Sequence, residues 1–134
     1  MDDMKVLLVD DERDFIDVLT KRLRKRKLDL RVALSGEEAV RAVQEKPVDV
    51  VVLDMRMPGM DGLQTLREIK CMNPMIEVIM LTGHANVEAA VEGLELGAFD
   101  YLMKPVEFDE LLYKLQDAFK RKTMREQKGG PTAG

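Results

Sequence analysis

The chain has 134 residues, 46% hydrophobic and 34% charged, a composition that predicts one soluble domain with one core and no second domain of ordinary size. Its 21 basic and 25 acidic residues give a formal net charge of −4, which argues against direct nucleic-acid binding, since that usually needs a basic face. No apolar run approaches the ~20 residues of a membrane span, the acidic start at Met1-Asp2-Asp3-Met4 is unlike a secretory leader, and a lone cysteine, Cys71, excludes an intrachain disulfide and suits a reducing cytoplasm.

Short apolar runs alternate with longer amphipathic ones along the chain. Lys5-Val6-Leu7-Leu8-Val9 predicts a first strand, and Phe15, Ile16, Leu19 and Leu23 mark one stripe of a helix after it. The basic cluster from Lys21 to Lys27 is expected to be a solvated helix end, where cations suit the helix dipole. Leu30-Arg31-Val32-Ala33-Leu34 alternates like a half-exposed strand, and Ser35-Gly36-Glu37-Glu38 has the form of a capping box before Ala39, Val40 and Val43. The runs from Val48 to Leu53 and from Ile76 to Leu81 are nearly continuous in Val, Ile and Leu, as in strands covered on both faces. Between them Asp61 is placed to cap a helix carrying Leu63, Leu66 and Ile69. Asn86 is placed to cap the next, with Val87, Ala90, Val91 and Leu94, and Gly97 to end it. A fifth strand follows from Phe99 to Met103. A last helix shows Phe108, Leu111, Leu112, Leu115, Ala118 and Phe119 on one face. The pattern fades from about Thr123, so residues 1–122 are expected to form the domain and residues 123–134 a disordered tail or linker stub.

Five β-α units in succession predict an α/β fold in which a five-stranded parallel sheet carries helices on both faces. The C-terminal ends of such strands share one edge, and ligands bind there. Asp10 and Asp11 follow the first strand, Asp54 the third, Thr82 the fourth and Lys104 the fifth. Each alone has an ordinary explanation as a cap, a turn former or a surface charge. Together they bring three carboxylates, a hydroxyl and an amine to one place. Carboxylates so gathered repel one another unless a cation intervenes. Mg²⁺ suits oxygen ligands next to a phosphate, and the absence of His or Cys at these strand ends argues against zinc. A carboxylate beside Mg²⁺ and a lysine is equipped to attack a phosphoryl group and hold it as an aspartyl phosphate.

Val9-Asp10-Asp11-Glu12, Leu53-Asp54-Met55-Arg56-Met57-Pro58-Gly59-Met60-Asp61-Gly62, Leu81-Thr82-Gly83-His84 and Lys104-Pro105 closely resemble the motifs of response-regulator receiver domains, those of the nitrogen-regulator type above all. The resemblance covers about Lys5 to Lys122. It implies the flavodoxin-like (βα)5 fold with strand order 2-1-3-4-5, the order the family's chemotaxis member exemplifies. It also implies a set of roles. Asp54 is the phosphoacceptor. Asp10, Asp11, Asp54 and the main-chain carbonyl of Arg56 hold Mg²⁺, Asp11 directly and Asp10 through water. Lys104 pairs with the phosphoryl group, and the Lys104–Pro105 peptide is cis. Thr82 swings toward the phosphoryl oxygen and Tyr101 turns in behind it, which remodels the face made by the fourth helix, fifth strand and fifth helix. Arg56, Gly83 and His84 tune how long the phosphoryl group survives. The implied partners are a sensor histidine kinase or phosphotransfer protein, and an output domain or a second copy of the chain in a phosphorylation-dependent homodimer. The domain then catalyses only its own phosphorylation and slow dephosphorylation.

From the residues alone, three readings compete with this one. An aspartyl-nucleophile phosphohydrolase usually carries a second Asp two residues after the first, where this chain has Arg56. A flavin or nucleotide binder needs a phosphate-cradling loop after the first strand, where Asp10-Asp11-Glu12 would repel phosphate. A degenerate receiver serving only as an interaction module would have no need of the complete pocket. Tyr101 by itself reads as core or edge packing. His84 reads as a loop or helix-start residue, and Met55, Met57 and Met60 as gap-filling side chains.

Overall fold

The computed structural model describes residues 3–56, 61–83 and 87–128. In chain order its elements are β1 (Lys5–Val9), α1 (Arg13–Arg24), β2 (Asp29–Ala33), α2 (Gly36–Glu45), β3 (Val50–Asp54), α3 (Gly62–Met72), β4 (Glu77–Thr82), α4 (Val87–Glu95), β5 (Asp100–Met103) and α5 (Phe108–Lys128). All neighbouring strands pair in parallel, in the order β2-β1-β3-β4-β5. The expected fold class and strand order are therefore those of the molecule. Among the described residues no helix is long and apolar enough to cross a membrane.

Alternation along the strands divides the core in two. Val6, Leu8, Val50, Val52, Ile79 and Leu81 face α1 and α5, meeting Ile16, Leu19, Leu23, Leu111 and Leu115. Leu7, Val9, Val51, Leu53, Val78 and Met80 face the other way, with Ala39 of α2 and Leu66 and Ile69 of α3. Side chains of a strand alternate between faces, so a strand covered on both sides must be apolar at every position. That is why β1, β3 and β4 read as unbroken hydrophobic runs. Each such Val, Leu or Ile contributes about 1.5–3 kcal/mol on burial.

Local signals fix the helix boundaries. Ser35 Oγ accepts from the Glu38 N–H at 3.1 Å, while Glu38 Oε2 accepts from the Leu34 N–H at 2.7 Å, a capping box that reaches one residue further back than usual. Asp61 Oδ1 accepts from the Gln64 N–H at 2.8 Å and starts α3. Gly97 closes α4 at φ 105°, a conformation that favours glycine, and the Ala98 N–H bonds the Gly93 carbonyl at 3.0 Å behind it. The expected Asn86 cap lies outside the described residues. At Gly62 a Cβ would fall 2.6 Å from Met55 Cα, so glycine lets α3 approach the chain just beyond β3.

The last helix differs from expectation. It runs on past Thr123 to Lys128, and the boundary expected at residue 122 falls inside it. The hydrophobic stripe fades there because ion pairs replace apolar contacts. Lys122 Nζ meets Asp49 Oδ1 at 2.9 Å and Glu126 Oε2 at 2.8 Å, and Arg121 and Arg125 both reach the buried Glu77 at the start of β4. Residues 129–134 lie outside the described residues.

Candidate phosphoacceptor site

Parallel strands bring their C-terminal ends to one edge, and the strand order reverses between β1 and β3. Asp10 follows β1 at that point, Asp54 is the last residue of β3, Thr82 the last of β4, and Lys104 the first after β5. Asp10, Asp54 and Thr82 are buried, Asp54 only 4% exposed. Backbone bonds lock the edge together. Met55 N–H donates to the Leu81 carbonyl at 3.0 Å, and Lys104 N–H to the Thr82 carbonyl at 2.8 Å. The Lys104–Pro105 peptide is cis.

Lys104 is the hub of the site. Its Nζ donates to Asp10 Oδ2 at 2.9 Å and to Glu12 Oε1 at 2.9 Å, and lies 3.5 Å from Asp54 Oδ2. It also stands 4.6 Å from the centre of the Phe15 ring. Burial alone would lower its pKa, but the hydrogen bonds to Asp10 and Glu12 and the charge of Asp54 outweigh that and hold it above the usual lysine range. Asp54 is displaced the other way. Burial pushes its carboxyl up to about 6, against the pull of the Arg56 N–H, which donates to Oδ1 at 3.1 Å; the charge of Asp10 adds to the rise and Lys104 subtracts from it.

Of the two aspartates expected to bind metal after β1, only Asp10 joins the cluster. Asp11 is exposed, and the carboxylates whose oxygens lie within 4.8 Å of one another are Asp10, Glu12 and Asp54. The cause is local. Glu12 N–H donates to Asp10 Oδ1 at 2.9 Å, and this turn carries the Glu12 side chain back over the edge while Asp11 faces solvent. Glu12, and not the expected Asp11, is the third carboxylate of the cluster. The signal for Glu12 was there, as the last of three consecutive acids. Phe15, one of the apolar stripe of α1, also borders the lysine.

The other expected residues are placed as follows. Arg56 is exposed, with its N–H turned to Asp54. Gly83 is half-buried, and a Cβ there would meet nothing within 4 Å among the described residues. Tyr101 lies on β5 with 39% of its surface exposed, and is not packed behind Thr82 in this structure. His84, Met57 and Met60 lie outside the described residues. The hard oxygen donors of Asp10 and Asp54, brought together in this cluster, fit a divalent cation such as Mg²⁺.

Comparison with known proteins agrees with the geometry. Residues 6–116 match the model of the response regulator receiver domain family. The transcriptional regulatory protein ZraR of Escherichia coli O157:H7 is 43% identical over 117 residues, covering 87% of this chain and 26% of ZraR. The DNA-binding transcriptional regulator NtrC of Escherichia coli strain K12 is 38% identical over 122 residues, covering 91% of this chain and 26% of NtrC. A receiver domain from Clostridium thermocellum superposes with a TM-score of 0.86 at 36% identity, covering 90% of this chain and 98% of that one. The chain thus spans about a quarter of the length of these curated relatives.

Proposed function

The chain belongs to the response regulator receiver domain family of two-component signalling, and from that membership we propose that it is a phosphoacceptor switch whose acceptor is Asp54. The observation that carries the proposal is the meeting of a buried Asp54 with the Lys104 ammonium and the Asp10 carboxylate at one sheet edge. Accepting a phosphoryl group is the general role of the family. The donor, the metal and the individual residues are our reading.

In this reading Asp10, Asp54 and the Arg56 carbonyl supply oxygen ligands to Mg²⁺, and Asp11 reaches it by rotating its exposed side chain. When bound there, Mg²⁺ would supply positive charge to offset that of the carboxylates and of the incoming phosphoryl oxygens. An oxygen of ionised Asp54 attacks phosphorus. The new P–O bond forms as the P–N bond to a phosphohistidine of a sensor kinase or phosphotransfer protein breaks, and the imidazole leaves with the electron pair. Lys104 then pairs with one phosphoryl oxygen and Thr82 donates a hydrogen bond to another. Slow attack by water beside Gly83 ends the signal, with Arg56 and His84, two residues past Asp54 and Thr82 respectively in the sequence, setting the rate. The domain is in this sense a switch and not an enzyme acting on other molecules. Movement of Thr82 draws Tyr101 inward and changes the α4-β5-α5 face, where a second copy or an output partner reads it.

Intact-mass spectrometry after treatment with acetyl phosphate tests this directly. A single phosphoryl adduct that needs Mg²⁺ and disappears in Asp54→Ala is the expected outcome. An adduct that survives in Asp54→Ala would place the chemistry on another residue. Failure of both acetyl phosphate and beryllofluoride to change the wild-type protein would leave a receiver that works only as an interaction module.

A further inference from the structure

Glu12 has no part in the scheme above, yet its carboxylate is as close to Lys104 as that of Asp10, each at 2.9 Å, while Asp54 is further away at 3.5 Å. The ammonium thus lies closer to the β1 side of the site while still reaching the acceptor. Glu12 is well placed for this. Its backbone N–H is fixed by Asp10 Oδ1, and its side chain is 63% exposed, so it can leave Lys104 without creating a buried charge. Asp10 differs in that it is fully buried and cannot turn to water.

We propose that Glu12 is a latch on Lys104, holding the ammonium in the unphosphorylated state and competing for it with the phosphoryl group on Asp54. The proposal rests on the phosphoacceptor reading and adds a regulatory step to it. A lysine engaged by Glu12 must give up that bond to pair with the phosphoryl oxygen, so the bond raises the level of phosphorylation needed to switch the domain. Glu12 acts through Lys104 and is a positioning residue. Only the reach of its side chain distinguishes it from any other nearby negative charge. Aspartate at the same position keeps the charge but is one methylene shorter and loses the contact.

The test is a beryllofluoride titration at saturating Mg²⁺, followed by the backbone amide signals of Thr82 and Lys104 in two-dimensional NMR. Glu12→Gln is expected to lower the half-saturating concentration about threefold to fivefold, the range open to an exposed ion pair. Glu12→Asp is expected to behave like Glu12→Gln, and in a Lys104→Ala background neither change should have an effect. Mg²⁺ affinity without beryllofluoride is measured alongside. The proposal is overturned if Glu12→Asp matches the wild type, if the effect of Glu12→Gln persists without Lys104, or if Glu12→Gln weakens Mg²⁺ binding severalfold, which would make Glu12 a metal ligand. Failure of the phosphoacceptor reading looks different, because the wild type itself would then give no saturable response.

Discussion

Asp54 is held in a place that disfavours its charge, and the charge is what its chemistry requires. Burial raises its pKa to about 6 from an ordinary 3.8, and the nearby Asp10 adds to the effect. Between those two pH values the folded protein holds a proton that the unfolded chain has lost. This stabilising contribution is complete below the unfolded pKa and disappears as pH rises through about 6. The cost of ionised Asp54 at neutral pH is at most about 3 kcal/mol in the absence of metal. Asp54→Asn removes that cost while keeping an oxygen for the Arg56 N–H. It should stabilise the metal-free protein by about 1–2 kcal/mol at pH 7 and by much less at pH 4.5, as measured by urea unfolding in a chelating buffer. Equal stabilisation at both pH values would show that ionisation of Asp54 is not the cause. Mg²⁺ needs the ionised carboxylate, so its apparent affinity should fall about tenfold per pH unit below 6. At this scale most of the site was legible in the sequence, because a residue that ends a parallel strand is placed by the strand itself. Asp11 and Glu12 were not, because two and three residues beyond a strand end the side-chain direction depends on a turn. The hydrogen bond from Glu12 N–H to Asp10 Oδ1 decides it.

The elements themselves were legible for the same reason. Each of the five strands begins and ends within about two residues of the run that predicts it, since apolar runs and turn residues mark both limits. The end of α5 was not legible, because what holds it is charge pairing across the sheet. Glu77 is buried at the start of β4 with Lys70, Arg121 and Arg125 around it, and no periodicity in α5 points to such partners. Lys70 reflects the same crowding. Burial holds its pKa below the usual range, Glu77 opposes that, and the two arginines add to it. Glu77→Gln keeps the volume but removes the charge that these cations share. It should cost about 1–3 kcal/mol, between the values for exposed and buried pairs. Amide exchange should quicken in residues 121–126, while α5 before Ala118, which packs on the core, stays protected. Arg125→Ala, which removes only one partly exposed partner, should cost less than about 1 kcal/mol. A Glu77→Gln protein with unchanged exchange in the last turns of α5 would mean that helix propensity alone carries them.

Across the whole molecule, the acceptor edge and the surface expected to report on it are joined by β4 and β5. Thr82 ends β4 and holds the Lys104 N–H, and Tyr101 pairs in register with Met80 two residues before Thr82. Val87, Val91 and Leu94 of α4, Tyr101 and Met103 of β5 and Tyr113 of α5 are all exposed, so three consecutive elements each present large apolar side chains to solvent. Elsewhere Val18 of α1, Met72 of α3 and Met124 near the end of α5 are exposed on separate helices, and the basic end of α1 is partly engaged within the molecule, with the Arg22 guanidinium 4.0 Å from the centre of the Phe108 ring. The surface best suited to a partner is therefore the one that a moving Tyr101 would alter. A phosphoryl group can shift this face only through bonds that exist in one state and not the other, and Lys104 supplies the strongest candidate. A hydrogen bond to a charged group contributes about 1.5–3 kcal/mol, so its loss would move the equilibrium back about tenfold to a hundredfold. Lys104→Ala should therefore still accept a phosphoryl group on Asp54, because the attacking oxygen is not its own. Its phosphorylated form should show little of the change in amide exchange that the wild type shows in α4, β5 and α5. Mass spectrometry gives labelling and exchange on the same sample, so the two can be compared at equal occupancy. A fully labelled Lys104→Ala protein with the complete wild-type change would remove Lys104 from the switch and leave Thr82 to carry it. Loss of labelling and switching together would make the lysine part of the transfer step itself.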